Sequence, residues 1–365
     1  CLDAMNGSDS GSIEEAQQKN ETAASRNVGL VVETRPDEIT PKILQNLRRL
    51  GVTKIQLGVQ SLDDEILRLN RRGHTVADAL NSVALCRAAG FKIVLHWMPN
   101  LMGATPQSDR EDFDRLWAEA TDGYGFCPDE LKIYPTQLLE NTDLYKEWQV
   151  GNYTPYDTET LIALIADAKP HIQPYCRVNR VIRDIPAHHI VAGNTRSSLR
   201  MDIQARMKQN GTACSCIRCR EIKNQQVVPE TLQLTDFRYQ AAFANEHFLQ
   251  FVTPDDKIAG YLRLSLPMTR APQTGMPELE NAALIREIHI YGQSLPVGAE
   301  QSGAAQHIGL GSQLIERACE IARGAGYSRL AVIAAIGTRI YYQARGFERG
   351  EFYMIRPLDP APDMK

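Results

Sequence analysis

Five of the eight cysteines in this chain are dispersed singly, and the other three lie within six consecutive positions, at Cys214, Cys216 and Cys219. Three thiolates in one short turn are typical of a structural zinc site that takes its fourth ligand from elsewhere in the chain. The candidates for that ligand are Cys176, His188 and His189. Free thiols, a disulfide or a redox pair are the alternatives, although the spacing is tighter than a redox pair needs. The sequence therefore predicts structural zinc, which would fix the angle between the flanking parts of the chain.

A glycine-containing loop before a predicted helix is the second region whose residues could do chemistry. The segment QHIGLGSQLIERACEIARGAG, residues 306–326, has the pattern of an amphipathic helix after its glycines. Glycines there let backbone N–H groups approach a pyrophosphate, and a helix N-terminus adds partial positive charge. A purely structural turn is the alternative. The residues predicted to contact a cofactor are Gln306, His307, Ile308, Gly309, Leu310, Gly311 and Ser312.

Two adjacent tyrosines, Tyr341 and Tyr342, lie on the next predicted helix, within residues 337–354 and after a predicted strand at 329–335. This order resembles the acetyltransferase fold, which binds acetyl-CoA between splayed strands. The resemblance implies that one tyrosine protonates the departing CoA thiolate as a general acid. Neighbours on a helix diverge by about 100°, so one of the two faces the core. Tyr342 is slightly preferred as the acid.

An earlier strand of this half, predicted at residues 283–292, follows an antiparallel hairpin predicted at 248–266. Its backbone groups are expected to polarise the thioester carbonyl and to pair with the pantetheine arm. The residues predicted to do so are Glu287, Ile288, His289 and Ile290. Glu287 and His289 are also candidates for a general base, with a satisfied structural histidine as the alternative for His289.

The first half of the chain alternates strand-like and helix-like patterns. Apolar strand-like runs occur at residues 28–33, 54–59, 92–99 and 130–135, and helical patterns lie between them at 41–51, 76–90 and 109–120. Strands that alternate with helices in this way predict a parallel sheet with helical crossovers. If the sheet closes wholly or partly into a barrel, its active site lies at the carboxyl ends of the strands.

Polar side chains follow each of these predicted strands. Glu33 and Arg35 come after the first strand, and Gln60 and Ser61 come after the second. A carboxylate, a guanidinium, an amide and a hydroxyl together could grip an amino-acid or ribose moiety. A structural ion pair between Glu33 and Arg35 is the alternative reading of the first pair.

A basic segment occupies residues 171–223, where ten Lys and Arg face three acids in a chain whose formal net charge is −4. The segment carries +7, which leaves −11 for the rest of the chain. Such a concentration inside an acidic protein is typical of a polyphosphate partner, and a solvated helix face is the alternative. The cations predicted to contact the partner are Arg177, Arg180, Arg183, Arg196, Arg200, Arg206, Lys208, Arg218 and Arg220.

Motifs throughout the chain resemble one family: ETRPD, GVQS, HWMPNLMG and KIYPT, followed by RVNRVIRDIP, SSLR and CREI. They are similar to the catalytic subunit of Elongator, a radical-SAM enzyme that modifies the wobble uridine of tRNA. The resemblance implies an α/β chain in which a partial TIM-like radical-SAM barrel precedes an α+β, GNAT-like acetyltransferase domain. The expected divisions are a barrel domain at 1–205 with the basic segment from 171, a cysteine-bearing linker at 206–228, and the acetyltransferase domain at 229–365.

The resemblance also implies the cofactors, which are acetyl-CoA, S-adenosyl-L-methionine and a [4Fe–4S] cluster. A radical derived from S-adenosyl-L-methionine is expected to abstract hydrogen from the acetyl group. The resulting carbon radical adds to C5 of the wobble uridine, and thioester hydrolysis leaves a carboxymethyl-type product. Cofactor contacts in the barrel are expected from Glu33, Arg35, Gln60 and Ser61.

The expected partner is the tRNA anticodon stem-loop, whose phosphates are held by the basic segment together with Arg71, Arg72 and Lys132. The extruded base is expected to stack on Tyr134. Further Elongator-like subunits or a second copy of the chain are also expected partners. No apolar run approaches the roughly 18 residues that a membrane helix needs, so no membrane partner and a cytoplasmic location are expected.

One family feature is missing from this sequence. Radical-SAM enzymes of this family ligate the cluster through a C-x4-C-x2-C-like run, whereas Cys1, Cys86 and Cys127 stand alone. The cluster ligands are therefore expected upstream of Cys1, and the chain is expected to be a fragment. A protein lysine acetyltransferase, which needs neither barrel nor basic segment, and a non-catalytic tRNA-binding scaffold are the alternative functions.

Overall fold

The computed structural model describes residues 1–118, 125–183, 185–223, 227–291 and 309–358. The α-helices of these residues are α1 (Leu2–Asn6), α2 (Ile13–Asn20), α3 (Pro41–Arg49), α4 (Asp64–Leu69), α5 (Val76–Ala88), α6 (Pro106–Arg115), α7 (Asp143–Gln149), α8 (Thr158–Ala168), α9 (Leu199–Gln209), α10 (Ile217–Arg220), α11 (Leu310–Gly324) and α12 (Arg339–Gln343). The strands are β1 (Val31–Thr34), β2 (Lys54–Gln60), β3 (Lys92–Trp97), β4 (Glu130–Ile133), β5 (Leu138–Leu139), β6 (Arg177–Arg180), β7 (Ile190–Ala192), β8 (Gln233–Ala241), β9 (Ala244–Val252), β10 (Ile258–Pro267), β11 (Ala282–Ile290), β12 (Arg329–Val332), β13 (Glu348–Arg349) and β14 (Met354–Pro357).

The first half forms the predicted parallel sheet, in the strand order β1-β2-β3-β4-β6. Helices α3, α5 and α6 lie in the connections between its strands. The central strands are apolar because their side chains are enclosed by these helices, and Ile55, Leu57, Ile93 and Leu95 are all fully buried. Parallel pairing brings the carboxyl ends of all the strands to one edge of the sheet.

Two boundaries in this half differ from the sequence-based prediction. Strand β1 begins at Val31, where pairing with Lys54 starts, whereas Val28 is 73% exposed and lies outside the sheet. Helix α6 begins earlier than predicted because the Thr105 hydroxyl accepts the Ser108 N–H at 3.1 Å and caps it. A proline in the first turn suits this start, since its missing N–H would be unpaired there in any case.

The second half forms a seven-stranded sheet in the order β13-β14-β12-β11-β10-β9-β8, and β11 and β12 are its parallel pair. The hairpin predicted at 248–266 is confirmed as β9 and β10, which are antiparallel. Helix α11 packs on this sheet with its apolar face, in which Leu314, Ile315 and Ala318 are fully buried.

Both sheets contribute to a shared core. One apolar cluster contains Ile55 and Phe91 from the first half and Phe248, Leu284 and Tyr353 from the second. Burial of so many apolar side chains between the halves is the main force that joins them. Among the described residues, no helix combines the length and the apolarity that crossing a bilayer requires.

Candidate functional site

A cavity of about 740 Å³ lies where the two halves meet. Its second-half walls come from the end of β11, the start of α11, and α12. Its first-half walls come from the amino ends of β1, β2 and β3, where Lys54 and Lys92 line it. The cavity therefore lies at the edge of the first sheet opposite to the polar strand ends.

Strand β11 exposes one backbone edge to this cavity. Its parallel pairing with β12 stops at Ile285 and Val332, while its antiparallel pairing with β10 continues to Ile290. The two parallel strands therefore part after Ile285, and Glu287, Ile288, His289 and Ile290 line the cavity. Backbone groups along such an edge can pair with an extended ligand in the manner of a further strand.

The start of α11 contains two glycines that the geometry requires. Gly309 precedes the helix with φ of 73°, the left-handed conformation that glycine adopts without strain. At Gly311, a Cβ atom would lie 2.3 Å from the hydroxyl of Tyr341. Only glycine at position 311 lets this hydroxyl lie against the first turn of the helix. Gln306, His307 and Ile308 lie outside the described residues.

The two adjacent tyrosines have different environments. Tyr341 is 36% exposed and Tyr342 is 5% exposed, with the Tyr342 ring packed 5.6 Å from the ring of Phe347. The guanidinium of Arg345 lies 3.5 Å from the centre of the Tyr341 ring and donates to the Ser312 hydroxyl. Burial raises the pKa of Tyr341 although Arg345 opposes the rise. Both phenols keep their protons at neutral pH, and Tyr341 is the more accessible of the two.

Glu287 is engaged in a buried ion-pair network, which corrects its prediction as a general base. Its carboxylate accepts from Lys92 Nζ at 2.5 Å, Tyr261 Oη at 2.8 Å and Arg263 Nε at 2.9 Å. Burial alone would raise its pKa, but Lys92 and Arg263 hold it far below the ordinary carboxyl value. A carboxylate that is so weakly basic does not take up a proton at neutral pH.

His289, the other candidate for a base, is an exposed residue near the end of β11. Its ring is 4.5 Å from the ring of Tyr291 and 5.8 Å from that of Tyr261. His289 lines the cavity, and its role as a base stays a prediction.

The three clustered cysteines meet in space. The sulfur atoms of Cys214, Cys216 and Cys219 all lie within 4.8 Å of one another. Contacts with Cys216 and Cys219 raise the pKa of Cys214, whereas hydrogen bonds from Cys214 and Cys219 lower the pKa of Cys216, so Cys216 is the first of the three to become a thiolate. Cys176 is buried next to this turn, and its carbonyl accepts the Ile217 N–H at 2.9 Å. The three thiols fit a zinc site of three thiolates and one further ligand.

At the carboxyl edge of the first sheet the polar strand ends come together. Glu33 lies 3.7 Å from His96 and 3.8 Å from Lys132, measured between carboxylate oxygen and ring or ammonium nitrogen. Arg35 pairs with Asp37, so the alternative of an ion pair between Glu33 and Arg35 is wrong. Gln60 and Ser61 are buried at the end of β2.

The predicted RNA-contacting cations differ in how far they are buried. Arg220 is 7% exposed and pairs with Asp256, which corrects its prediction as a displayed cation. Arg177 is half-buried against Glu221. Arg200 is half-buried against backbone carbonyls, and Arg72 is half-buried as well. Ion pairs at the surface engage Arg71, Arg196 and Arg206. Arg180, Arg183, Lys208 and Arg218 are exposed, as are the ion-paired Arg71 and Arg196.

Tyr134 is 9% exposed, and its ring is approached by Lys132 Nζ at 5.6 Å and by the Arg183 guanidinium at 5.9 Å. This burial corrects the prediction that it offers a free face for stacking a base.

Among the described residues, Cys214, Cys216 and Cys219 form the one group of three or more possible metal ligands that lie close together. It follows β6 in the sequence and contacts Cys176 at the amino end of that strand. Cys1 is exposed, and Cys86 and Cys127 are buried singly. The described residues therefore do not fit a [4Fe–4S] cluster at the carboxyl edge of the sheet.

Sequence reasoning missed several residues of the cavity. Lys54 and Lys92 are each the first residue of an apolar strand. A lysine at the start of such a strand could have indicated that this end of the strand borders a polar site. The sequence did not indicate that Arg345 belongs to the cavity. Its contact with Tyr341 depends on the turn after α12, which brings the two side chains together.

Two protein-family models match the first half of the chain. The Radical SAM superfamily matches residues 7–116, and the Radical SAM C-terminal domain matches residues 128–209. The first half is therefore that of a radical SAM protein, here joined to a second sheet with a cavity between the two.

The relatives narrow the class to one family. The chain is 40% identical to the tRNA uridine(34) acetyltransferase of Dehalococcoides mccartyi, over 98% of this chain and 78% of that protein. It is 37% identical to Elongator complex protein 3 of Danio rerio, over 98% of this chain and 65% of that protein. The solved structure of an N-terminally truncated Elp3 from Methanocaldococcus infernus matches with a TM-score of 0.90 at 36% identity, covering 98% of this chain and 84% of that one.

The chain belongs to the family of tRNA uridine(34) acetyltransferases and Elongator complex protein 3. This confirms the predicted resemblance and the predicted α/β fold class, a partial radical-SAM barrel followed by an acetyltransferase-like domain.

Proposed function

We propose that this chain modifies the wobble uridine of tRNA with an acetyl group taken from acetyl-CoA. The observation that carries the proposal is the cavity between the two halves, where an open β11 edge, a glycine-led helix start and Tyr341 converge. The named relatives are tRNA uridine(34) acetyltransferases, which supports the choice of substrate.

Acetyl-CoA binds in this cavity through groups of the second half. The N–H groups at the start of α11, around Gly309 and Gly311, take the pyrophosphate at the positive end of the helix. Arg345 adds a full positive charge beside the same turn. The pantetheine arm pairs with the free edge of β11 between Glu287 and Ile290, where the strand has parted from β12.

Tyr341 is the general acid of this site, in preference to Tyr342. Its hydroxyl lies over the first turn of α11, and it is the more exposed of the two. A phenol that keeps its proton at neutral pH can donate it to the thiolate as CoA departs. The raised pKa of Tyr341 keeps that proton available.

The tRNA anticodon stem-loop binds through the exposed cations of the basic segment, which include Arg180, Arg183, Lys208 and Arg218. Contacts of this kind position the RNA without reading its sequence and weaken as salt is added. The cysteine turn holds zinc through Cys214, Cys216 and Cys219 and keeps the end of the basic segment rigid.

At the carboxyl edge of the first sheet, Glu33, Gln60 and Ser61 would hold S-adenosyl-L-methionine, and its cleavage to a hydrogen-abstracting radical would need an electron from a reduced [4Fe–4S] cluster, which the described residues do not fit. The chain divides into a barrel domain at 1–205, a cysteine-bearing linker at 206–228 and an acetyltransferase domain at 229–365. Partner subunits, a second copy of the chain and a cytoplasmic location remain predictions.

The test is acetyl-CoA hydrolysis by the intact chain, measured with and without tRNA. We expect turnover that requires tRNA and falls at least about a hundredfold in Tyr341→Phe, the size expected for loss of a general acid. Tyr342→Phe is the matched control and is expected to lose much less. Equal turnover without tRNA would favour a protein lysine acetyltransferase, and tRNA binding without turnover would favour a non-catalytic scaffold.

A further inference from the structure

The cavity proposed for acetyl-CoA has a wall that comes from the first half of the chain. This wall includes Arg26, which lies before β1, together with the lysines that begin β2 and β3. The same cavity is lined by Gly309 and Gly311 at the start of α11 and by Arg345. One molecule bound there can therefore contact both halves of the chain.

Arg26 differs from the other first-half cations of this cavity because its side chain has no partner. Lys92 pairs with Glu130 and Glu287 at 2.5 Å, and Lys54 pairs with Glu130 at 3.1 Å. The half-buried Arg26 side chain makes neither a hydrogen bond nor an ion pair with any described residue. A bound anion would supply the counter-ion that these residues do not.

The backbone beside Arg26 is fixed against the second half. The Asn27 carbonyl accepts the Gly337 N–H at 2.8 Å, and the fully buried Asn20 accepts the Asn27 N–H at 2.7 Å. A Cβ atom at position 337 would lie 2.6 Å from Cβ of Arg26 and 3.0 Å from the Asn27 carbonyl oxygen. Glycine at this position therefore lets the segment lie against the turn that precedes α12, the helix of Tyr341.

A second contact holds the same two parts of the chain together. The buried Arg339, which begins α12, donates to Glu21 at 2.9 Å and to Gln17 of α2 at 3.0 Å. The backbone of Arg26 is thus held in place before any ligand arrives. Binding through its side chain costs little backbone ordering as a result.

The chemistry of Arg26 suits one part of the acyl donor. Coenzyme A carries its negative charge on phosphate groups, whereas its pantetheine arm is uncharged. The start of α11 and Arg345 can balance only part of that charge. A further guanidinium offers a planar fork of N–H donors that matches phosphate oxygens. The matching group is therefore a phosphate.

We propose that Arg26 binds a phosphate group of acetyl-CoA, so that the radical SAM half completes the acyl-donor site of the other half. This inference rests on the proposed function, because that function brings acetyl-CoA to the cavity. One consequence is thermodynamic: contact between the two halves and binding of the donor stabilise each other, since coupling between them is reciprocal.

The test is the dissociation constant of two donors for the intact chain, measured by calorimetry. Acetyl-CoA carries the phosphates, and S-acetylpantetheine carries none. Arg26→Gln should weaken the binding of acetyl-CoA roughly tenfold, the lower end for loss of a hydrogen bond to a charged group, because Arg26 is only half-buried. It should leave S-acetylpantetheine unchanged. Arg26→Lys keeps the charge without the fork and should keep part of the affinity.

The matched control is Arg49→Gln, an exposed arginine of the same half that pairs with Glu14 at 2.8 Å and does not line the cavity. It should leave both constants unchanged, and thermal unfolding establishes that each variant folds. Unchanged affinity for acetyl-CoA in folded Arg26→Gln, or an equal loss for both donors, would overturn the inference and leave the proposed function intact. Failure of the wild type to bind acetyl-CoA would instead contradict the proposed function.

Discussion

Replacement of Asp129 by asparagine tests how strongly the two halves are joined. Asp129 is fully buried before β4, and its two oxygens accept from Nη1 and Nη2 of Arg286 on β11 at 2.6 and 2.7 Å. It also accepts the Ile93 N–H at 2.8 Å and lies 3.4 Å from Arg263. An asparagine keeps one acceptor and removes one of the two buried carboxylates that pair with Arg286, which leaves Glu246 at 2.7 Å as its counter-ion.

Breaking a buried pair in this way costs about 3–5 kcal/mol. We therefore expect Asp129→Asn to lower the free energy of unfolding by about that amount in urea denaturation followed by circular dichroism. Asp167→Asn removes an exposed pair with Arg110, with an N–O distance of 3.0 Å, and serves as control. Its effect should stay below about 1 kcal/mol.

The pH dependence gives the same test a second readout. Although burial alone would raise it, Arg286 and Arg263 hold the pKa of Asp129 well below its ordinary value. A lowered pKa in the folded state contributes stability above the unfolded value, about 3.9 for aspartate, and loses it as the pH falls. The deficit of Asp129→Asn should therefore be full at neutral pH and shrink in acid. A loss below about 1 kcal/mol at pH 7 would refute the reasoning.

Three further predictions concern the cysteine turn, the buried carboxylate of Asp112 and the exposed Arg183. Cys216→Ser should remove zinc from the purified chain and lower its melting temperature, and metal analysis that finds no zinc in the wild type would contradict the assignment. Asp112 accepts the Leu62 N–H at 2.6 Å and an indole N–H of β3 at 3.1 Å with separate oxygens. Asparagine can accept only one of them, so Asp112→Asn leaves a buried donor unpaired and should lower the free energy of unfolding by about 1–3 kcal/mol in urea denaturation. Asp109→Asn is the control, because one oxygen of Asp109 accepts both of its hydrogen bonds. Arg183→Ala should weaken tRNA binding and reduce the slope of log affinity against log salt by about 0.9 or less, and an unchanged slope would place Arg183 outside the interface.

The order of elements could be predicted because it depends on local patterns. Apolar runs of strand length at 54–59 and 92–99 predicted β2 and β3 within a few residues, since burial on both faces favours apolar side chains at most of their positions. The Thr105 cap of α6 was equally local and could have been read from the sequence.

Contacts between distant segments could not be predicted in this way. Glu287 had the residue type of a base, but its partner Lys92 is 195 positions away. Arg220 belongs to a basic segment, yet it is buried because Asp256 on the β9–β10 turn pairs with it. The approach of Tyr341 to Gly311 likewise arises from the packing of α12 on α11. Single-sequence patterns carry no information on which distant charges meet.

The most direct test of the central claim is the dissociation constant of acetyl-CoA for Gly311→Ala, measured by calorimetry. The added methyl group falls 2.3 Å from the Tyr341 hydroxyl, so the tyrosine and the start of α11 must move apart. The methyl group lies in the turn whose N–H groups take the pyrophosphate, and loss of one hydrogen bond to a charged group costs about 1.5–3 kcal/mol, which predicts roughly tenfold to hundredfold weaker binding. Gly324→Ala in the same helix has no atom within 4 Å of the new methyl group and should bind as the wild type does. Equal affinity in all three proteins would contradict the assignment of this cavity to the acyl donor.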